Sequence, residues 1–112
     1  MDLDIRQSGS VCVLKIKGGL KYGESVTHFE KSIESALDSG YSNLIIDLES
    51  MPVIDSCGIG SIVNALLKAK KQGGDAKLVN PSQFAMKTMK LCGIYGLFSV
   101  YSSESDAMAA CS

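Results

Sequence analysis

The sequence contains few of the residues that mark special classes of protein. Its 112 residues include no tryptophan, one histidine and two prolines, and no apolar run approaches the roughly 20 residues needed to cross a membrane. The N-terminus, Met1-Asp2-Leu3-Asp4, is acidic where a secretory signal would be basic and then apolar. We therefore expect a cytoplasmic protein with no membrane partner.

The net charge is small, and side chains arranged to bind a metal are scarce. Eleven basic and twelve acidic residues give a net charge of −1, which provides no electrostatic footprint for nucleic acid or an anionic membrane. The cysteines are widely separated and form no Cys-x-x-Cys pair, and His28 has no acid or thiol at a diagnostic spacing. We expect four thiols (Cys12, Cys57, Cys92 and Cys111), no metal, no cofactor and no catalytic triad.

The chain is rich in aliphatic residues, which recur either at every second position, as in strands, or at every third and fourth position, as in helices. Hydrophobic residues make up 46% of the sequence and aromatic residues only 6%, which favours one tightly packed domain over residues 1–112. Alternation at Leu3 and Ile5, and again from Cys12 to Ile16, predicts two antiparallel strands joined at Ser8-Gly9-Ser10.

The rest of the chain alternates between helical and strand-like segments. Spacings of three and four predict helices over 26–37 and from Ser56 to about Gln72. Asn80-Pro81-Ser82-Gln83 predicts the start of a third helix, with Asn80 as the cap and Pro81 as the first helical residue, and Cys92-Gly93 predicts its end. Strands are predicted at 44–48, 76–79 and 98–101, followed by a short helix between Ser103 and Cys111. The expected fold is α/β, with a mixed, mostly parallel sheet, an antiparallel N-terminal edge and about four helices.

The most informative segment lies where an apolar strand and loop lead into the second helix. It carries an acid, two small nucleophile-type side chains and two glycines: Ile54-Asp55-Ser56-Cys57-Gly58-Ile59-Gly60. We expect the Ser56 hydroxyl to cap the helix, either as a plain cap or as a phosphoacceptor. A phosphate would add about −1.5 to −2 charge beside unpaired amides and the positive end of the helix dipole.

The other residues of this segment have simpler interpretations. Cys57 is either a reactive thiol at a helix start or an inert one. Gly58 and Gly60 favour a tight turn and close helix packing, because the segment lacks the third glycine of a dinucleotide fingerprint and the Gly-Lys-Ser/Thr of a P-loop. An enzyme with Ser56 or Cys57 as its nucleophile has no identifiable base, so we expect a protein that is not an enzyme.

Four segments in this order resemble the STAS domain, and specifically the stand-alone bacterial anti-sigma factor antagonists. They are Ile46-Asp47-Leu48, Asp55-Ser56-Cys57-Gly58-Ile59-Gly60, Lys70-Lys71-Gln72-Gly73-Gly74 and Leu91-Cys92-Gly93-Ile94-Tyr95-Gly96-Leu97-Phe98. The resemblance implies that the unmodified protein binds an anti-sigma factor that is also a serine kinase, that phosphorylation of Ser56 abolishes binding, and that a phosphoserine phosphatase restores it. The implied partner-binding residues are Lys21, Asp55, Ser56, Cys57, Gly58, Ile59 and Gly60.

The resemblance leaves one alternative function and contains one departure. STAS domains also serve as accessory subunits of transporters or lipid-transport systems, which bind proteins without phosphorylation. Where the family commonly has Gly-x-Leu-Asp, this chain has Gly18-Gly19-Leu20-Lys21. Lys21 would pair with a phosphate on Ser56, reject a kinase that requires a carboxylate, or be a neutral surface difference.

Overall fold

The structure is a computed structural model that describes residues 1–111. Two antiparallel strands, β1 (Asp2–Ser8) and β2 (Val11–Lys17), form its N-terminal edge, with Asp2 opposite Lys17 and Ser8 opposite Val11. Gly9 between them has φ 59°, a left-handed conformation that glycine adopts without a steric cost. The predicted antiparallel pair is confirmed.

The remaining strands add to β2 in the order of the chain. The five-stranded sheet has the order β1-β2-β3-β4-β5, and every pair after the first is parallel. Parallel neighbours require crossover connections, and helices supply them here. The successive elements are α1 (Glu24–Asp38), β3 (Asn43–Asp47), α2 (Ser56–Lys71), β4 (Asp75–Val79), α3 (Gln83–Leu91), a 3₁₀ turn (Tyr95–Leu97), β5 (Val100–Tyr101) and α4 (Glu104–Ala109). The predicted fold class is confirmed.

The two faces of the sheet are covered unequally. The inward sides of α1, α2 and α3 pack with alternate strand residues such as Leu14 and Ile46 in the main core. On the other face α4 is the only helix that packs within residues 1–111, and its Ala107 lies with Val11, Val13 and Ile45 in a smaller apolar cluster.

Two local predictions were wrong. The cap of α3 is Ser82, whose Oγ accepts from the Ala85 N–H at 3.0 Å, so Asn80 and Pro81 precede the helix. Asn80 instead has φ 51°, and its side-chain amide donates to Glu49 at 3.2 Å. The last strand is Val100–Tyr101 rather than 98–101, because Phe98 still closes the preceding 3₁₀ turn, with its N–H donating to the Tyr95 carbonyl at 3.3 Å.

Candidate functional site

Two loops meet at the edge of the sheet where β2 and β3 end. Leu20, in the loop after β2, donates its N–H to the Val53 carbonyl at 3.1 Å and accepts from the Asp55 N–H at 3.3 Å. Gly18 donates to the Ser50 carbonyl at 3.0 Å. Because β2 and β3 are parallel, their carboxyl ends lie side by side, and these bonds fix the two loops to each other.

Asp55 is the residue that joins the two loops to α2. Its Oδ1 accepts from the Gly58 N–H at 2.9 Å, which caps the helix, and its Oδ2 accepts from the Tyr22 N–H at 2.9 Å. The bond from Tyr22, followed by the bond from Gly58, lowers the pKa of the Asp55 carboxyl. The start of α2 is therefore held by an ionised carboxylate.

Ser56 is not the cap that the sequence analysis predicted. It is the first residue of α2, its side chain is exposed, and its hydroxyl has no hydrogen-bond partner within residues 1–111. The Asp55 carboxylate takes the capping position because a negative charge suits the positive end of the helix dipole. One of the amides expected to be unpaired, the Gly58 N–H, is already bonded to the Asp55 carboxylate, so a phosphate on Ser56 would lie beside that carboxylate.

The two glycines of the segment have different roles. A Cβ on Gly58 would lie 2.3 Å from the Leu20 carbonyl oxygen and 2.7 Å from Cγ1 of Ile54, so only glycine lets α2 approach the first loop this closely. A Cβ on Gly60 would meet no heavy atom within 4 Å. The predicted role in close packing therefore applies to Gly58 and is wrong for Gly60.

The seven predicted site residues come together, but they do not all face outward. Lys21, Ser56, Cys57 and Gly60 are exposed and Asp55 is half-buried. Gly58 is buried, and Ile59 is only 6% exposed and packs in the main core. These two residues support the surface from beneath, so the interpretation of Ile59 as a side chain that contacts a partner is corrected.

Lys21 is placed beside Asp55 by its neighbours on both sides. Its N–H donates to Ser25 Oγ at 2.9 Å, and the same hydroxyl donates to the Lys21 carbonyl at 2.6 Å. Leu20 and Tyr22, on either side, both bond to Asp55. The Lys21 ammonium forms no ion pair with any residue between 1 and 111.

Tyr22 belongs to the same surface and was missed. Its side chain is 83% exposed at one end of a groove between α1 and α2. The groove is lined by Val26, Thr27, Cys57, Gly60 and Asn64, among others. One signal in the sequence indicated an exposed aromatic side chain here, a tyrosine directly after Lys21 in a polar segment with a glycine. Loop residues have no periodicity from which exposure can be predicted.

The remaining thiols and His28 do not assemble into a second centre in the part of the chain described. Cys57 and Cys92 are exposed thiols, Cys111 is half-buried, and burial raises the pKa of Cys12. His28 lies exposed on α1. Residues 1–111 contain no cluster of three or more His, Cys, Asp or Glu side chains suited to a metal ion. None of the helices within these residues is long and apolar enough to span a bilayer.

Comparison with known proteins identifies the fold. The STAS domain family model matches residues 2–107. A Thermotoga maritima protein provisionally named an anti-sigma factor antagonist is 29% identical over 86 residues, which cover 76% of each chain. A crystal structure of a T. maritima protein with the same provisional name has a TM-score of 0.90 at 25% identity and covers 97% of this chain and 93% of that one.

SpoIIAA has been solved in two states that share this fold. Its unphosphorylated form, titled an anti-sigma factor antagonist, aligns with a TM-score of 0.86 at 19% identity over 97% of this chain and 95% of that one. Its phosphorylated form, from Bacillus, aligns with a TM-score of 0.79 at 20% identity over 97% and 98%. At these identities the likeness concerns the fold alone. Because the family model spans almost the whole chain, this protein belongs to the STAS domain family.

Proposed function

We propose that this protein is an anti-sigma factor antagonist controlled by phosphorylation of Ser56. The exposed residues Lys21, Tyr22, Ser56, Cys57 and Gly60 form what we call the Ser56 surface. In the unmodified state this surface binds an anti-sigma factor that is also a serine kinase. Phosphorylation ends the binding and a phosphoserine phosphatase restores it. Because the kinase uses ATP, the proposal places this exchange in the cytoplasm.

The observation that carries the proposal is the free hydroxyl of Ser56 on a rigid edge. One hydroxyl of α2 and one of α3 are already engaged: Ser61 is buried and donates to the Gly58 carbonyl at 2.7 Å, and Thr88 donates to the Phe84 carbonyl at 2.7 Å. Thr27 of α1 is likewise exposed and unbonded within residues 1–111, and Ser56 differs from it in lying in the first turn of α2, directly after the Asp55 cap. The phosphorylated and unphosphorylated SpoIIAA structures support a two-state role for this fold.

The position of Asp55 explains how phosphate would switch binding off. A phosphate on Ser56 would add about −1.5 to −2 charge next to an ionised carboxylate. Adjacent like charges on a contact surface are costly to desolvate, and any carboxylate of the partner would be repelled. The switch therefore acts by charge at the contact, and it needs no rearrangement of the fold.

Phosphate mapping and calorimetry test the proposal. Incubation with the cognate kinase and ATP should place a single phosphate on Ser56, located by mass spectrometry. Ser56→Asp should weaken binding to the anti-sigma factor by roughly tenfold or more. Ser56→Ala should still bind it, but phosphorylation should no longer switch the binding off. Ser102→Asp, which adds the same charge at an exposed site after β5, is the matched control and should bind normally.

Two results would contradict the proposal. Phosphate on Ser82 or Thr88, or none at all, would remove the switch. Equal affinities of wild type and Ser56→Asp would show that charge at this surface does not control binding. If this protein instead binds a transporter subunit and is never phosphorylated, the accessory role is supported.

A further inference from the structure

A second charged cluster lies on the opposite face of the sheet, under α4. Asp47, the last residue of β3, is only 3% exposed and is the most buried charged side chain in residues 1–111. Its carboxyl group lies close enough to that of Glu104, the first residue of α4, for each to shift the pKa of the other. Glu104 also forms an ion pair with Arg6 of β1. Two carboxyl groups and one guanidinium thus connect α4 to two strands.

The other groups around Asp47 can be identified from each element packed against it. On β2 its register partner is Lys15, which itself lies opposite Asp4 of β1. On β4 its register partner is the uncharged Val79. In the loop toward α2, the Glu49 N–H donates to Asp47 Oδ1 at 3.0 Å. Arg6 and Lys15 are thus the cations nearest to this pair of carboxyl groups, of which Asp47 is buried and Glu104 is half-buried.

We propose that Asp47 and Glu104 share a proton, and that this proton controls how firmly α4 is held against the sheet. With the proton present, the Asp47 hydroxyl donates to the Glu104 carboxylate, which also accepts from Arg6. When the proton is released to solvent, a buried carboxylate on Asp47 and a half-buried one on Glu104 are left close together. The contact then turns from attractive to repulsive, and the cations offset only part of the change.

The direction of the effect follows from the two carboxyl groups. Burial, and next the hydrogen bond to Glu104, raise the pKa of Asp47 to about 6. The hydrogen bond from Asp47 is the main reason that the pKa of Glu104 is lowered. A group with a raised pKa stabilises the closed state at low pH, and this contribution is lost as pH rises through the folded-state value. The pKa of Glu104 is lowered, so its stabilisation is lost only as the pH falls, below the range from pH 5 to pH 7.

The size of the effect can be estimated from the same values. If Asp47 regains an ordinary pKa when α4 opens, the opening equilibrium should be on the order of tenfold larger at pH 7 than at pH 5. Opening uncovers the apolar cluster beneath the helix, which includes Val11, Val13, Ile45 and Val79. The protein would therefore show more of this apolar face at neutral pH than at mildly acidic pH.

Amide hydrogen exchange on the whole protein tests the inference. The Ala107 and Ala110 N–H groups bond within α4, to Ser103 and Asp106, and report its opening. Their protection factors, corrected for intrinsic exchange, should fall about tenfold from pH 5 to pH 7. The protection factors of amides inside α2 should change much less over the same pH range. Equal protection of α4 at both values would overturn the inference.

Three variants separate this effect from general destabilisation. Asp47→Asn keeps a neutral donor opposite Glu104, so its α4 protection should be nearly independent of pH. Asp106→Asn removes an exposed charge from the same helix and should keep the wild-type dependence. If Asp47→Asn does not fold, Glu104→Gln removes the carboxylate acceptor and should reduce the dependence. A wild-type dependence in Asp47→Asn or in Glu104→Gln would refute the shared proton.

Discussion

Asp55 connects residues that are far apart in the sequence. Its carboxylate accepts one N–H within its own helix and another from Tyr22, which lies 33 residues earlier. The same side chain thus completes the end of α2 and fixes the loop that presents Lys21 and Tyr22. The surface around Ser56 depends on this neighbouring acid for its shape.

Replacement of Asp55 should separate its two roles. Asp55→Asn can still cap Gly58 but has one acceptor oxygen instead of two, so the bond to Tyr22 should be lost. Asp55→Ala loses both bonds and should melt at a lower temperature than Asp55→Asn. Because the folded-state pKa of Asp55 is lowered, its stabilisation is present at neutral pH and is lost as pH falls below about 4. The difference between wild type and Asp55→Ala should therefore shrink from pH 7 to pH 3 in thermal melts. Equal melting temperatures at pH 7 would contradict this role.

Tyr22 should be an energetic centre of partner binding. Exposed aromatic residues held on a fixed backbone lose little freedom on binding and are frequent hot spots. Tyr22→Ala should weaken binding to the anti-sigma factor by roughly tenfold or more with an unchanged melting temperature, and Tyr22→Phe should weaken it less. Leu91→Ala, which truncates an equally exposed side chain at 83% on α3, is the control and should bind normally. A loss of affinity in the control but not in Tyr22→Ala would move the contact to α3.

Lys21 should partly neutralise a phosphate on Ser56. Its free ammonium would stabilise the phosphorylated form by up to about 1 kcal/mol at an exposed site, and Lys21→Asp should reverse the effect. Thermal melts of both proteins, with and without phosphate and at low and moderate salt, measure the difference. An identical phosphorylation-induced shift in both proteins would show that Lys21 is a neutral surface difference.

At the scale of elements, the approach of α2 to the first loop is the closest contact in the site. The helix begins where Leu20 and Ile54 form a parallel bridge, and Gly58 lies against that bridge. A rigid contact between backbone atoms cannot adjust by rotating a side chain. The start of α2 therefore has one allowed position relative to the loop.

The two glycines of α2 provide a matched pair of substitutions. Gly58→Ala should destabilise the protein by about 1–3 kcal/mol, because its Cβ would overlap the Leu20 carbonyl, and Gly58→Val should cost more. Gly60→Ala faces open space in a helix and should be neutral or stabilising by up to about 1 kcal/mol. Chemical denaturation measures both. Equal effects of the two alanine substitutions would show that the contact at Gly58 does not determine stability.

The elements were predictable from sequence to the extent that periodicity controls them. Apolar alternation and helical spacing located β1, β2, α1 and α2, because burial of one face determines both patterns. Capping residues located α3 and α4, whereas the 3₁₀ turn at Tyr95–Leu97 was not predicted. The caps were harder: Ser82 replaced Asn80 and Asp55 replaced Ser56, since several residues near a helix start can accept the same N–H groups. Nothing in the sequence indicated that Asp47, at the end of an apolar strand, would meet a carboxyl group from a helix more than fifty residues later.

At the scale of the whole molecule, the proposed partner and α4 lie in separate regions. The Ser56 surface is at the carboxyl edge of the sheet beside α1 and α2, whereas α4 covers the opposite face from α1, α2 and α3. One exposed thiol, Cys57, lies within the Ser56 surface, and another, Cys92, lies outside it at the end of α3. These thiols can report which side of the protein a partner covers.

Thiol labelling should therefore map the partner on the intact complex. In the free protein, Cys57 and Cys92 should react quickly with a maleimide and the buried Cys12 slowly. Binding of the anti-sigma factor should slow labelling of Cys57 at least several-fold and leave Cys92 unchanged, as read by mass spectrometry of the peptides. Protection of Cys92 with free reaction at Cys57 would place the partner elsewhere.

The strand order has a consequence for synthesis on the ribosome. Because β1 to β5 pair in the order in which they are translated, no strand has to insert between two that are already paired. Each crossover helix emerges between the strands it connects, so the sheet can grow at one edge as the chain lengthens. The residues of the Ser56 surface are all translated by Gly60, before β4 begins at Asp75. A nascent chain therefore contains every residue of the proposed Ser56 surface while β4, β5 and the α4 helix are still to be made.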